Sequence, residues 1–202
     1  MHLALFDFDG TITTHETMPA FVRRSISRRR LWLGQCLLAP IVIGNKLRLV
    51  SGVRVRRAIV RFGYRGVPVA MLQRAGAEFA RDYLPSVLRP EAMAQIEWHR
   101  AQGHRIVVVS GGLDVYLAPW CAAHGLELMC SSLAQRDGVL TGDYDGAQCV
   151  RAEKARRVRE RFALAAFAAI HAYGDTPEDL ELLALATHRT YRGQALPALT
   201  TA

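Results

Sequence analysis

Lysine is nearly missing from this chain: of its 26 basic residues only Lys46 and Lys154 are lysine, and the rest are arginine. Cysteine is scarce too. Cys36, Cys121, Cys130 and Cys149 form no C-x-x-C pair and no His/Cys ligand spacing, which argues against a zinc site or a disulfide frame and favours reduced thiols. There is no internal repeat or low-complexity block. The first apolar stretch ends in acids with no basic leader before it, so no signal peptide is expected and the chain is read as cytoplasmic. The most informative absence is local. From Thr17 to Ala77 there is no Asp or Glu against 13 Lys and Arg, so this stretch carries +13; the other 13 bases meet 18 acids, leaving −5 elsewhere and +8 overall. The basicity belongs to one module and calls for an anionic partner: lipid headgroups, an acidic substrate or nucleic acid.

Half of the 202 residues are apolar, which excludes a disordered chain and suits one α/β core with an insertion. The run His2 to Phe6 reads as a short strand leading into Asp7-Phe8-Asp9-Gly10-Thr11-Ile12-Thr13. Strand alternation puts Leu3, Leu5, Asp7 and Asp9 on one side and Ala4, Phe6 and Phe8 on the other, so Asp7 starts on a face that ought to be core. A carboxylate there needs a cation or hydrogen bonds to hold it. By itself, Asp9-Gly10 is equally an ordinary turn.

Further on, the spacing predicts a helix near residues 90–101, a buried strand over 105–109 that runs into Ser110-Gly111-Gly112, and a helix from about Asp114. A third strand over 126–131 precedes a hairpin turning at Asp137-Gly138. A charged helix over 153–162 carries Lys154 at its start. A small-residue strand over 166–173 ends in Gly174-Asp175, and Thr176-Pro177 opens another helix that carries Asp179. An edge strand is expected over 188–192. Residues 14–84 interrupt this alternation with helical material punctuated by Pro19, Pro40 and Pro68; Met71, Leu72, Ala75, Phe79 and Tyr83 recur there at helical spacing.

Four separated motifs now stand in order: D-x-D-x-T-I-T at Asp7, Ser110 after an apolar strand, Lys154 at a helix start, and G-D-x-x-x-D from Gly174 to Asp179. Together they resemble the haloacid dehalogenase superfamily, and within it the phosphoserine-phosphatase-like subfamily IB, across essentially the whole chain. The resemblance implies a three-layer Rossmann-like core with a parallel sheet, formed by residues 1–13 and 85–202, and a helical cap of residues 14–84 inserted after the first strand. It implies a phosphatase for a small phosphorylated metabolite such as phosphoserine or a phospho-amino-alcohol. Asp7 would be the nucleophile that becomes an aspartyl-phosphate, and Asp9 the acid and then the base. Ser110 and Lys154 would hold the phosphate, with Thr11, Gly111 and Gly112 beside it. Mg²⁺ would be shared by Asp7, Asp9 through its backbone carbonyl, Asp175 and, less directly, Asp179, whose other reading is a capping residue for Thr176.

Within the cap, Glu16 matches a family position that faces the substrate amino group, and its plain alternative is a solvated acid. Arg54, Arg56, Arg57 and Arg61 compete for the carboxylate-binding role, of which Arg56 is the choice made. The run Leu31 to Ile43, broken by Gln35 and Pro40 and flanked by Arg28-Arg29-Arg30, is too short to span a bilayer. Two readings stay open for it. It is either the cap's own interior, the preferred reading because a helical cap needs one, or an interfacial segment that places a phospholipid-phosphate hydrolase peripherally on the inner face of an anionic membrane. A non-catalytic lipid- or RNA-binding protein on the same fold is a third reading. Nucleic acid is disfavoured because few aromatics beyond Trp32, Phe62 and Tyr64 could stack on bases.

Overall fold

The computed structural model describes residues 1–197. The first strand, β1 (Leu3–Phe6), is buried along its whole length. It lies at the centre of a six-stranded sheet with β2 (Arg105–Leu113), β3 (Glu127–Ser131), β6 (Ile170–Gly174), β7 (His188–Tyr191) and β8 (Gln194–Leu196), in the order β3-β2-β1-β6-β7-β8. Strands β3, β2, β1, β6 and β7 run parallel; β8 turns back antiparallel on β7. A separate hairpin pairs β4 (Leu133–Arg136) with β5 (Val139–Tyr144). Its turn residues Asp137 and Gly138 both have positive φ, 51° and 75°, as a two-residue hairpin requires.

The alternation read from the first strand matches the packing. Leu3 and Leu5 join Val107, Val109, Val158 and Leu182 on one face of the sheet, whereas Ala4, Phe6 and Phe8 join Ile96, Leu117 and Trp120 on the other. Helices α5 (Pro90–Ala101) and α6 (Asp114–Ala123) therefore cover one face, and α7 (Ala152–Arg161) and α8 (Leu180–Leu183) the other. This is the three-layer α/β arrangement expected from the sequence.

Between β1 and α5 come four helices: α1 (Met18–Ser25), α2 (Arg28–Lys46), α3 (Gly52–Tyr64) and α4 (Val69–Asp82). Phe21, Tyr64, Leu72 and Phe79 from this set share one apolar cluster with Phe6 and Trp120, so the inserted helices grow out of the core rather than hang beside it. Helix α4 meets α6 very closely. A Cβ at Gly76 would stand 2.0 Å from the Val115 carbonyl oxygen.

Several local expectations change. The small-residue strand starts at Ile170, because residues 164–166 form a single 3₁₀ turn. Strand β7 is not an edge, since β8 covers it. The segment after Thr176 opens as a 3₁₀ turn over Pro177–Asp179 before α8. Of the residues that recur at helical spacing in α4, Leu72 and Phe79 are buried and Met71 is 60% exposed. The largest departure concerns the apolar run 31–43. In α2 only Gly34 is buried, and Trp32, Leu33, Leu37 and Ile43 face outward, so the run is not the interior of the helical insertion.

Gly76→Ala should force α4 and α6 apart and lower stability by about 1–3 kcal/mol, read as a reduced urea midpoint with unchanged far-ultraviolet circular dichroism.

Candidate active site

The parallel strands β1, β2 and β6 all end on one side, and the functional residues follow from that. In open α/β sheets this carboxyl edge is where ligands bind. Asp7 continues β1 by one residue; its amide donates to the Tyr173 carbonyl at 2.9 Å and its side chain is buried. Gly10 turns the backbone at φ +82° and lies so close to Asp175 that a Cβ would come within 2.2 Å of that carboxylate. No other residue permits both the angle and the approach. Thr11 then donates to Asp175 Oδ1 at 3.2 Å.

Lys154 lies in the first turn of α7, only 2% exposed, and its ammonium donates to Asp7 Oδ1 at 2.5 Å and to Asp179 Oδ1 at 2.6 Å. Asp179 spends its other oxygen on the amides of Asp175 and Thr176 and on the Thr176 hydroxyl. Of the two sequence readings of Asp179, the capping one is realised, as a capping box with Thr176, while its hold on Lys154 belongs to neither reading. With both oxygens so committed, it is poorly placed to ligate a metal directly.

Ser110, buried at the end of the regular part of β2, accepts from the Gly112 amide at 3.0 Å. Strand β2 continues irregularly through Gly111 and Gly112 to Leu113, beyond the strand over 105–109 that the sequence predicts. A Cβ at Gly111 would meet Val150 at 2.6 Å, so the backbone itself forms that wall.

Asp9 turns the other way, toward the inserted helices. Its Oδ1 accepts from the Thr17 amide at 2.9 Å and from the Thr17 hydroxyl at 2.6 Å. Burial raises the Asp9 carboxyl to about 6, against the pull of these two bonds. On Asp7 burial pushes the carboxyl upward, while the Lys154 ammonium beside it pulls the other way and favours the charged form. Asp175 is also raised, chiefly by desolvation. On Lys154 the two neighbouring carboxylates outweigh burial and push the ammonium up.

One cavity of about 1030 Å³ is lined by Asp7, Asp9, Ser110, Lys154, Asp175 and Asp179 together with Gly10, Gly111 and Gly112. Glu16 lines it too and is exposed. Arg56 reaches the same wall, but its guanidinium is engaged: it donates to both oxygens of Glu178 at 3.1 Å and to Gln148 at 2.9 Å. Three further residues were not singled out in the sequence. Thr17 holds Asp9, Arg89 donates to the carbonyls of Gly10 and Thr13 at 3.0 Å, and Arg151, at φ 53° and ψ −133°, bends the chain just before Lys154. A positive φ on arginine is strained, and no sequence signal announces it.

The donor set suits a hard divalent cation. Carboxylate oxygens of Asp7 and Asp175 lie within 4.8 Å of one another, and Asp179, held by its own hydrogen bonds, stands equally close behind them. Three carboxylates here face one ammonium, and oxygen-only donors of this kind favour Mg²⁺. Replacing Lys154 by Met would leave Asp7 and Asp179 buried without a cation. Lys154→Met should therefore cost about 3–5 kcal/mol, seen in denaturant titration as a loss that exceeds that of an exposed control such as Arg159→Met.

Comparison with known proteins agrees with this geometry. A family model for haloacid dehalogenase-like hydrolases matches residues 4–184. Protein CicA of Caulobacter vibrioides is 34% identical, the match covering 94% of this chain and 85% of that protein. A protein of unknown function from Bordetella pertussis Tohama I shares the fold with a TM-score of 0.76 at 21% identity, covering 93% of this chain and 88% of the other. A phosphoserine phosphatase captured as a phospho-aspartyl intermediate analogue superposes with a TM-score of 0.66 at 21% identity, covering 93% and 84%. With its family signature spanning both the sheet and the inserted helices, the chain belongs to the haloacid dehalogenase-like hydrolases.

Proposed function

We propose that this hydrolase is a Mg²⁺-dependent phosphatase that cleaves phosphomonoesters through a covalent phosphate on Asp7. The observation that carries the reading is the buried contact of Lys154 with Asp7 on the floor of a cavity that also holds Asp9, Ser110 and Asp175. Residues 1–13 and the described part of 85–202, up to residue 197, supply that floor, and the helices within 14–84 act as a cap over it. A solved neighbour described as a phospho-aspartyl intermediate analogue of phosphoserine phosphatase supports the covalent route.

In this mechanism a carboxylate oxygen of Asp7 attacks phosphorus as the bond to the leaving oxygen breaks. Asp9, raised to about 6, delivers its proton to that oxygen and the alcohol departs. Water then attacks the aspartyl-phosphate, Asp9 takes the proton back, and inorganic phosphate leaves with Asp7 restored. Lys154, the Ser110 hydroxyl and the Gly111 and Gly112 backbone neutralise charge on the non-bridging oxygens. Asp7, the Asp9 carbonyl and Asp175 would hold Mg²⁺, which supplies further charge neutralisation on the phosphoryl group.

The substrate class follows from the rest of the cavity. Its volume reaches the upper end of the roughly 300–1,000 Å³ typical of drug-sized ligand sites, and beyond the phosphate end its walls include Met18, Val22, Ile26, Leu31, Leu38 and Ile59. Such walls favour a phosphomonoester with an apolar tail, and with it a peripheral contact with membrane. Phosphoserine or a phospho-amino-alcohol is the second reading, favoured by Glu16 at the cavity wall and by the phosphoserine phosphatases among the fold neighbours. Comparing kcat/KM for phosphoserine and for lysophosphatidic acid separates the two.

Hydrolysis of p-nitrophenyl phosphate should require Mg²⁺, stop with chelator, and fall on the order of a thousandfold or more in Asp7→Asn; full activity in that variant rules the mechanism out. Thr17→Val removes a hydroxyl that favours ionised Asp9. Asp9 should then stay protonated to higher pH, moving the alkaline limb of the kcat/KM profile up by about one pH unit. An unmoved limb takes the acid role away from Asp9.

A further inference from the structure

Helix α2 is apolar on nearly all sides, and a helix of that kind is normally enclosed. Its inner side rests on α3, where Gly34 lets it settle onto Phe62: a Cβ there would be 2.8 Å from the ring. Its outer side is a second apolar stripe. At about 3.6 residues per turn, Trp32, Leu33, Leu37, Pro40, Ile43 and Leu47 fall together. Trp32 and Leu37 are each 64% exposed and Leu47 63%, with Leu49 just past the helix end at 78%. None of the described elements covers this stripe.

Its surroundings are uniformly cationic. Arg28 and Arg29 open the helix, Lys46 ends it and Arg48 follows, and Arg54, Arg57 and Arg61 are exposed along α3. No acidic residue occurs anywhere between Thr17 and Ala77. A second copy of the chain would bring the same +13 against this one, so charge opposes self-association through the face. No helix among the described residues is long and apolar enough to cross a membrane, which leaves α2 lying along a surface rather than through it.

We propose that the outer stripe of α2 docks this protein on an anionic lipid bilayer, with Trp32 at headgroup level and the flanking cations on lipid phosphates. Four such cations near an anionic surface strengthen partitioning about a thousandfold. Leu38 and Val42, on the opposite side of the helix, line the substrate cavity. A single helix thus separates bilayer from cavity. The proposal deepens the apolar-tail reading and borrows its use from it, but the contact itself needs no substrate.

Flotation of the full chain should recover it with vesicles of two-to-one phosphatidylcholine and phosphatidylglycerol at moderate salt, and at least tenfold less with phosphatidylcholine alone. Trp32→Glu and Leu37→Glu, both outside the cavity, should abolish flotation while p-nitrophenyl phosphate hydrolysis is kept. Absence of wild-type flotation overturns the proposal, as does a wild-type dimer in sedimentation that Trp32→Glu breaks, which would give the stripe to a second copy. Flotation without hydrolysis would refute the catalytic reading and leave the docking surface standing.

Discussion

One ammonium group organises the site. Lys154 is almost completely withdrawn from water and touches Asp7 just past β1 and Asp179 on the turn after β6, two places far apart in the chain. Burying any one of these charges alone would be strongly unfavourable, so each is tolerable only where the others are. The strands can take no other register without stranding a charge. Asp179 passes the constraint on, because its second oxygen holds the backbone at Asp175 and Thr176. The position of Asp175 beside Gly10 is thereby tied to the position of Lys154.

Much of this was legible in the sequence because each signal had a physical cause that acts locally. Helix α5 begins at Pro90 and ends at Ala101 as its pattern predicts. The Asp137-Gly138 turn was readable because few other dipeptides accept two positive φ angles. Asp7 betrayed itself as an acid on a face meant for the core. Lys154 stood out in a chain that otherwise uses arginine, and a guanidinium is a forked donor, whereas an ammonium fits as a compact charge between two carboxylates.

What was not legible depended on partners remote in sequence. Thr17 becomes the holder of Asp9 only once α1 folds over the first loop, and threonines are too common to mark themselves. Strand β8 is three residues long and pairs only because β7 offers it an open edge. Arg151 takes its strained backbone from the tertiary contact of its amide with the Glu178 carbonyl, which leaves no trace in composition. The run 31–43 misled for a different reason. Apolar content alone does not say which residues find a neighbour, and among the described elements α2 packs chiefly on α3, which leaves its other apolar side uncovered.

The Arg56–Glu178 pair joins α3 to the turn that bears Asp179, with Gln148 as a third member that also donates to the Val53 carbonyl. Both partners line the cavity, so the pair ties the helical insertion to the sheet along its wall. Any displacement of the helical insertion from the sheet must part this ion pair, whose side chains are 23% and 25% exposed, whereas the Lys154 contacts beneath can stay intact. Access and chemistry thus rest on separate electrostatic elements. The outer one, reachable by mobile ions, is weakened by salt, and the inner one is shielded from it.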